Sequence, residues 1–208
     1  MKIKVRPFLT AVDLTGTFAL AIQGAAIAAA KGLDMLGVLV VSMVASMGGG
    51  IIRDVLIGAQ PPEALRTRKM LAVALTGGLV TFLAYRYVVQ IPEGLLLAID
   101  AVGLSLLAVA GTEKALDYGL TAPVAVMLGG ISSVGGGTVR DLLLMQIPAV
   151  LRVDFIASSA LIGATVLVTA RALKLRPEWA ALLGGAICCA LRLISSLEHW
   201  QLPTANLN

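Results

Sequence analysis

Charge is scarce in this chain of 208 residues: only 13% are Asp, Glu, Lys or Arg, where an ordinary soluble domain carries about 25%. A soluble fold of this length needs charged side chains to cover its surface, so a water-soluble enzyme is excluded. Aromatic residues are scarce too, at 4%. The net charge of +4 therefore comes without the basic stripe and interleaved rings of a nucleic-acid surface. The basic residues instead flank apolar runs, where they set topology against anionic lipid. Cysteine is limited to Cys188 and Cys189; neighbours on one helix do not face each other, so they form no disulfide and read as small packing residues. Histidine is limited to His199, which makes no metal site alone. There is no Walker lysine, no Gly-x-Gly-x-x-Gly after a strand and no His/Cys/Glu cluster, so no catalytic group, organic cofactor or bound metal is expected.

What is abundant is apolar: 58% of residues are hydrophobic and the mean hydropathy is +0.93. That content excludes disorder and leaves a membrane-embedded protein. Seven apolar segments run from Phe8 to Ala30, Leu33 to about Ile57, Met70 to Val89, Gly94 to Thr112, Leu120 to Met145, Phe155 to Ala170 and Trp179 to Leu197. Most reach or approach the roughly 20 residues that a spanning helix needs. They are continuous rather than alternating, so they predict helices and not barrel strands. The expected fold is all-α: a polytopic membrane protein with seven transmembrane helices, one membrane domain over residues 1–208, in a bacterial or archaeal inner (plasma) membrane. Lys2, Lys4 and Arg6 before the first run, and Ala26-Ile27-Ala28 within it, imitate a cleavable leader. The repeat described next assigns that run to the mature fold instead.

Displaced by 87 positions, the chain matches itself. Asp13 falls on Asp100, Gly16 on Gly103, Gly24 on Gly111, Ser46 on Ser133, Gly48-Gly49-Gly50 on Gly135-Gly136-Gly137, and Arg53-Asp54 on Arg140-Asp141. With one residue dropped, Gln60, Pro62, Leu65 and Arg66 fall on Gln146, Pro148, Leu151 and Arg152. Each copy holds three spans, an odd number, so the second copy enters from the opposite side. The predicted architecture is two inverted three-helix repeats, at about 8–89 and 95–171, plus an extra helix at about 179–197. Such repeats place a solute path at their interface near the midplane.

Three consecutive glycines weaken a helix by about 1 kcal/mol each relative to alanine. A helix broken there offers freed carbonyls to a cation and freed amides to an anion, and is tolerable only where protein or a water-filled cavity receives it. Close helix packing is the alternative that glycine offers; the recurrence of the triplet beside Arg-Asp favours conduction or binding, and the two roles can coexist. Ionisable groups at membrane depth face a partner or an aqueous cavity. Adjacent Arg53 and Asp54 leave a helix in different directions, so the expected pairs are crossed, Arg53 with Asp141 and Arg140 with Asp54; solvation by lipid headgroups is the alternative. Asp13 and Asp100 are candidates to hold a cation, accept a proton or cap a neighbouring helix. Glu113, Lys114 and Asp117, which stand where the first copy has Ala26, Ile27 and Ala30, read as a loop after the fourth span.

On these residues the chain resembles the prokaryotic members of the trimeric intracellular cation (TRIC) channel family, also labelled the glycine transporter domain family. The resemblance rests on Gly-Gly-Gly-x-x-Arg-Asp occurring at 48–54 and again at 135–141, on Gly111-Thr112-Glu113-Lys114-Ala115, and on the number of spans. It implies a homotrimer in lipid with one pore per protomer, between the second and fifth helices kinked at their glycine motifs. It implies passage of monovalent cations, chiefly potassium, without catalysis. Carried onto this chain, the pore candidates are Gly48, Gly49, Gly50, Gly135, Gly136 and Gly137, with Ser46, Ser133 and Thr138 as polar neighbours. The phosphoinositide motif of animal members has no clear match here. A secondary transporter of a small zwitterion such as glycine is the alternative, with Asp13 or Asp100 carrying a proton. The lysines and arginines place the N-terminus in the cytoplasm, whereas animal members of the family are described the opposite way round.

Overall fold

In hydrocarbon, every backbone N–H and C=O needs a partner within its own segment, and long apolar runs meet that demand as helices. A computed structural model describes residues 7–88, 92–152 and 155–198, and all regular structure among them is helical. The elements are α1 (Pro7–Ala30), α2 (Met35–Leu56), α3 (Glu63–Arg66), α4 (Arg68–Leu83), α5 (Tyr85–Val88), α6 (Glu93–Asp117), α7 (Ala122–Leu143), α8 (Ala149–Arg152), α9 (Ile156–Ala172) and α10 (Pro177–Leu197). Five of these, α1, α2, α6, α7 and α10, are long and apolar enough to cross a membrane. The other two expected spans are shorter: α4 has 16 residues and α9 has 17. The expected run Met70 to Val89 divides at Ala84 between α4 and α5. Lys2, Lys4, Arg6 and His199 lie outside the described residues.

The two copies pack through their equivalent helices, α1 on α6 and α2 on α7. A Cβ built on Gly16 would meet Leu107, and one built on Gly103 would meet Leu20. One built on Gly49 would meet the Ser132 carbonyl, and one built on Gly136 the Ala45 carbonyl. Each contact is thus matched by the contact between the equivalent residues, the signature of a two-fold relation. As the residue number climbs in one helix it falls in the partner, so both pairs run antiparallel. α10 stands outside this symmetry and packs on α9 and α6, where Gly184 and Gly163 bring two backbones together.

Helix ends repeat as well. α1 and α6 both close on a left-handed glycine, Gly32 and Gly119, with Leu33 N–H bonding to Ala28 O and Leu120 N–H to Ala115 O. These are Schellman closures. α2 closes the same way on Gly58, but at the equivalent place α7 carries Met145, at φ 54.

Candidate functional site

The triplets lie inside uninterrupted α2 and α7, which corrects the expected broken helices. The physical reason is tertiary. Gly48 and Gly49 of α2 press against Gly136 and Ser132 of α7, while Gly135 and Gly136 press against Gly49 and Ala45. Close backbone approach of this kind supplies dispersion and Cα–H···O contacts that offset poor helix propensity. Unwinding would free amides and carbonyls with nothing to receive them in lipid. Gly50 and Gly137 are different: a Cβ there would meet nothing closer than the guanidinium of Arg53 at 3.7 Å or of Arg140 at 3.8 Å. Each triplet therefore has two glycines in the seam and one beside its own arginine. Ser46 is buried and its hydroxyl donates to Ser42 O at 2.8 Å, while Ser133 donates to Gly130 O at 2.7 Å.

The charged pairs are neighbours, not crossed, a second correction. Arg53 Nε donates to Asp54 Oδ1 at 2.8 Å and Arg140 Nε to Asp141 Oδ1 at 2.8 Å. The two Cβ directions diverge, but the long arginine stem folds back along its own helix. Each pair stands in the last turns of α2 or α7, where a cation complements the negative end of the helix dipole. The remaining carboxylate oxygen turns outward: Asp54 Oδ2 accepts the N–H of Glu63 at 2.9 Å, and Asp141 Oδ2 accepts the N–H of Ala149 at 2.9 Å. The Arg-Asp motif thus ties each long helix to the short helix that follows it. All four side chains are buried in protein, with Arg53 at 2% exposure and Asp54 at 0%, so headgroups do not solvate them.

The two clusters then diverge. In the first copy Arg53 Nη1 donates to Ser132 Oγ at 3.2 Å and Nη2 lies 4.0 Å from Asp13 Oδ2. In the second copy Ala45 holds the place of Ser132, and Arg140 Nη1 donates instead to Gln23 Oε1 at 2.7 Å. Gln23 Nε2 donates in turn to Asp100 Oδ1 at 2.7 Å, and Arg192 of α10 lies 3.3 Å from Asp100 Oδ2. Asp13 and Asp100 therefore serve buried arginines, directly or through Gln23.

A cavity of about 90 Å³ opens at the second cluster, room for several water molecules. Its polar wall is Gln23, Asp100, Ser133, Thr138, Arg140, Asp141 and Arg192, with Gly137 beside them. Of the residues singled out in the sequence, Ser133, Gly137, Thr138, Arg140, Asp141 and Asp100 come together here. Gly48, Gly49, Gly135 and Gly136 sit in the seam, Ser46 bonds back to the backbone of α2, and Asp13 belongs to the first cluster. Gln23 and Arg192 join the site without having been singled out for it; each is a polar residue in an otherwise apolar run, which is the signal that marks them. Glu113, Lys114 and Asp117 are not a loop but the last turns of α6. Glu113 is fully buried, with Arg171 Nε at 3.5 Å. Lys114 Nζ donates to Asp54 Oδ2 at 3.0 Å and to Glu63 Oε2 at 2.7 Å.

An all-helical membrane protein built from two antiparallel helix triplets, with paired charges buried along their seam, is the class these features define. The model of the glycine transporter family matches the chain twice, over residues 10–86 and 97–172. An inner membrane protein of Escherichia coli, YadS of the UPF0126 group, is 34% identical over 95% of this chain and 96% of its own. A solved structure described as the structural basis for conductance through TRIC cation channels superposes with TM-score 0.88 at 34% identity, covering 96% of this chain and 98% of that one. The TRIC trimeric intracellular cation channel orthologue from Rhodobacter sphaeroides superposes with TM-score 0.85 at 30% identity, covering 93% and 99%. The chain belongs to the glycine transporter family, in its TRIC-like group. It is an integral protein of the inner (plasma) membrane.

Proposed function

We propose that the protein is a cation channel without enzymatic activity, passing monovalent cations and chiefly potassium. It works as a homotrimer in which each protomer carries its own path. The path follows the flank of the α2–α7 seam, entering the cavity at Thr138, Ser133 and Asp100 and continuing toward the first cluster at Arg53 and Asp54. Seven crossings carry it, with α4 and α9 as the short ones, and the N-terminus faces the cytoplasm. The observation that carries this reading is the TM-score of 0.88 to a TRIC cation channel structure over nearly the whole of both chains. The polar cavity beside the seam supports it independently, because hydroxyl and carboxylate oxygens replace a cation's hydration shell. Gly48, Gly49, Gly135 and Gly136 contribute by holding α2 and α7 together, and Gly50 and Gly137 by leaving the side of the path free of side chains.

The test is potassium flux from liposomes loaded with KCl. A Cys188→Ala, Cys189→Ala background with Thr138→Cys should conduct, and a positively charged thiol reagent should then block it. Flux that ignores modification at position 138 refutes this route. A second reading, a carrier for a small zwitterion such as glycine, is favoured by one feature: the cavity wall carries both carboxylates (Asp100, Asp141) and guanidinium groups (Arg140, Arg192). Saturable uptake of labelled glycine without current would select it.

A further inference from the structure

α10 has no counterpart in the repeat, yet it carries an ionisable side chain into the site. Arg192 is the one charged residue between Trp179 and Leu197, a costly placement at membrane depth that calls for a partner. It is buried, and its Nε donates to Asp100 Oδ2 at 3.3 Å. The two-fold relation points to a different partner for Asp100. In the first copy Asp13 faces Arg53 of α2 at 4.0 Å. In the second, Gln23 stands between Asp100 and Arg140 and bonds to both. The counterpart of Gln23 is Ala110, too short to intervene in the same way. Arg140 is engaged with Asp141 through Nε and Nη2. The repeat alone thus leaves each cluster with two aspartates against one arginine. Lys114 and Glu63 add one charge of each sign to the first cluster, which stays net negative. Arg192 cancels the excess in the second: among the described residues, the cavity wall carries two carboxylates and two guanidinium groups.

We propose that Arg192 sets how tightly the cavity holds a cation: by neutralising Asp100 it makes the second cluster a passage and leaves the first cluster as the step that selects. This deepens the channel reading and rests on it. A conducting site must attract an ion strongly enough to admit it and weakly enough to release it. Asp100 shares the wall with the Ser133 and Thr138 hydroxyls. Each hydroxyl donates its proton to a carbonyl of its own helix, so only lone pairs remain for an ion, which suits a cation. A full negative charge beside those oxygens would retain the ion. Arg192 removes that excess without removing the oxygens.

Single-channel recording in planar bilayers tests it, over a series of KCl concentrations and in a KCl gradient. Arg192→Gln should lower the potassium concentration that half-saturates unitary conductance roughly five- to tenfold, the effect of one unbalanced charge a few ångströms away in a wet cavity. It should also raise the preference for potassium over chloride. Asp100→Asn should do the opposite on both readouts. The double variant should return both toward the wild type, and Arg192→Lys, which keeps the charge, should match it. Both quantities are read per channel, so they do not depend on how much protein folds. If Arg192→Gln yields no folded protein, Asp100→Asn and the double variant, which bury no unbalanced carboxylate, give the answer. A conducting wild type whose half-saturation and reversal potential are unchanged in Asp100→Asn, and in Arg192→Gln where it folds, overturns the proposal. The pair is then only a tie between α10 and α6, and the channel reading stands. Arg192→Lys behaving as Arg192→Gln does overturns it as well. Folded wild type and variants that all carry no current overturn the channel reading, and this inference with it.

Discussion

Neighbouring glycines of one triplet should respond oppositely to the same substitution. In Gly49→Ala the new Cβ lands on the Ser132 carbonyl oxygen, with Ser132 C at 3.0 Å and Gly136 N at 3.2 Å. All three obstacles are backbone, so no side chain can turn aside, and α2 and α7 must separate. Overpacking of this kind costs about 1–3 kcal/mol, and alanine's better helix propensity returns about 1 kcal/mol. With rigid obstacles the overpacking falls at the top of that range, for a net loss of about 2 kcal/mol. In Gly50→Ala the nearest atom is Arg53 Nη2 at 3.7 Å, ordinary contact, so only the propensity gain of about 1 kcal/mol remains. At about 2–4 °C per kcal/mol for a chain of this size, Gly49→Ala should lower the midpoint of thermal unfolding by about 4–8 °C. Gly50→Ala should raise it by about 2–4 °C. The assay is thermal unfolding of the purified protein in one detergent, with Gly136→Ala and Gly137→Ala as the matched pair from the second copy. Equal shifts at positions 49 and 50 would refute the seam as the reason for these glycines.

Three further outcomes follow from the same geometry. Arg53→Asp should cost about 3–5 kcal/mol, because it breaks the buried pair with Asp54 and sets a second carboxylate beside it, and adding Asp141→Arg should not restore folding; recovery in that double variant, read by yield and unfolding midpoint, would reinstate crossed pairs. Met145→Gly should stabilise by about 1 kcal/mol in the same thermal assay, since the residue holds φ 54 at the end of α7 where a side chain is strained, and Gly58 already occupies the equivalent place. Gln23→Leu should reduce potassium flux severalfold by removing the bridge between Asp100 and Arg140, and unchanged flux would show that Gln23 is not part of the path.

Much of this architecture is legible in the sequence because it is written twice. A shift of 87 positions, reduced to 86 after the Arg-Asp motif, pairs every helix of one triplet with its counterpart, and the doubled Gly-Gly-Gly-x-x-Arg-Asp marks where the two meet. Three features are not legible there, each because it depends on reach through space. Helix propensity penalises each glycine locally and is blind to the Ser132 carbonyl that Gly49 approaches, so it suggests a break where the helix continues. The directions of adjacent Cβ atoms argue against an Arg53–Asp54 pair, but the flexible stem beyond Cβ decides the contact. Lys114 reaches Asp54 and Glu63 across 60 and 51 positions of sequence, and only its mismatch with Ile27 hints that it is more than loop. Asp13 and Asp100 show the same limit: they align perfectly, yet Asp13 faces the arginine of α2 directly, while Asp100 reaches that of α7 only through Gln23 and meets Arg192 of α10 as well.

Single-channel recording of the reconstituted protein in asymmetric KCl addresses the central claim most directly. Unitary currents that reverse near the potassium equilibrium potential are the predicted result. An absence of unitary current from protein that instead takes up labelled glycine with saturation would contradict it.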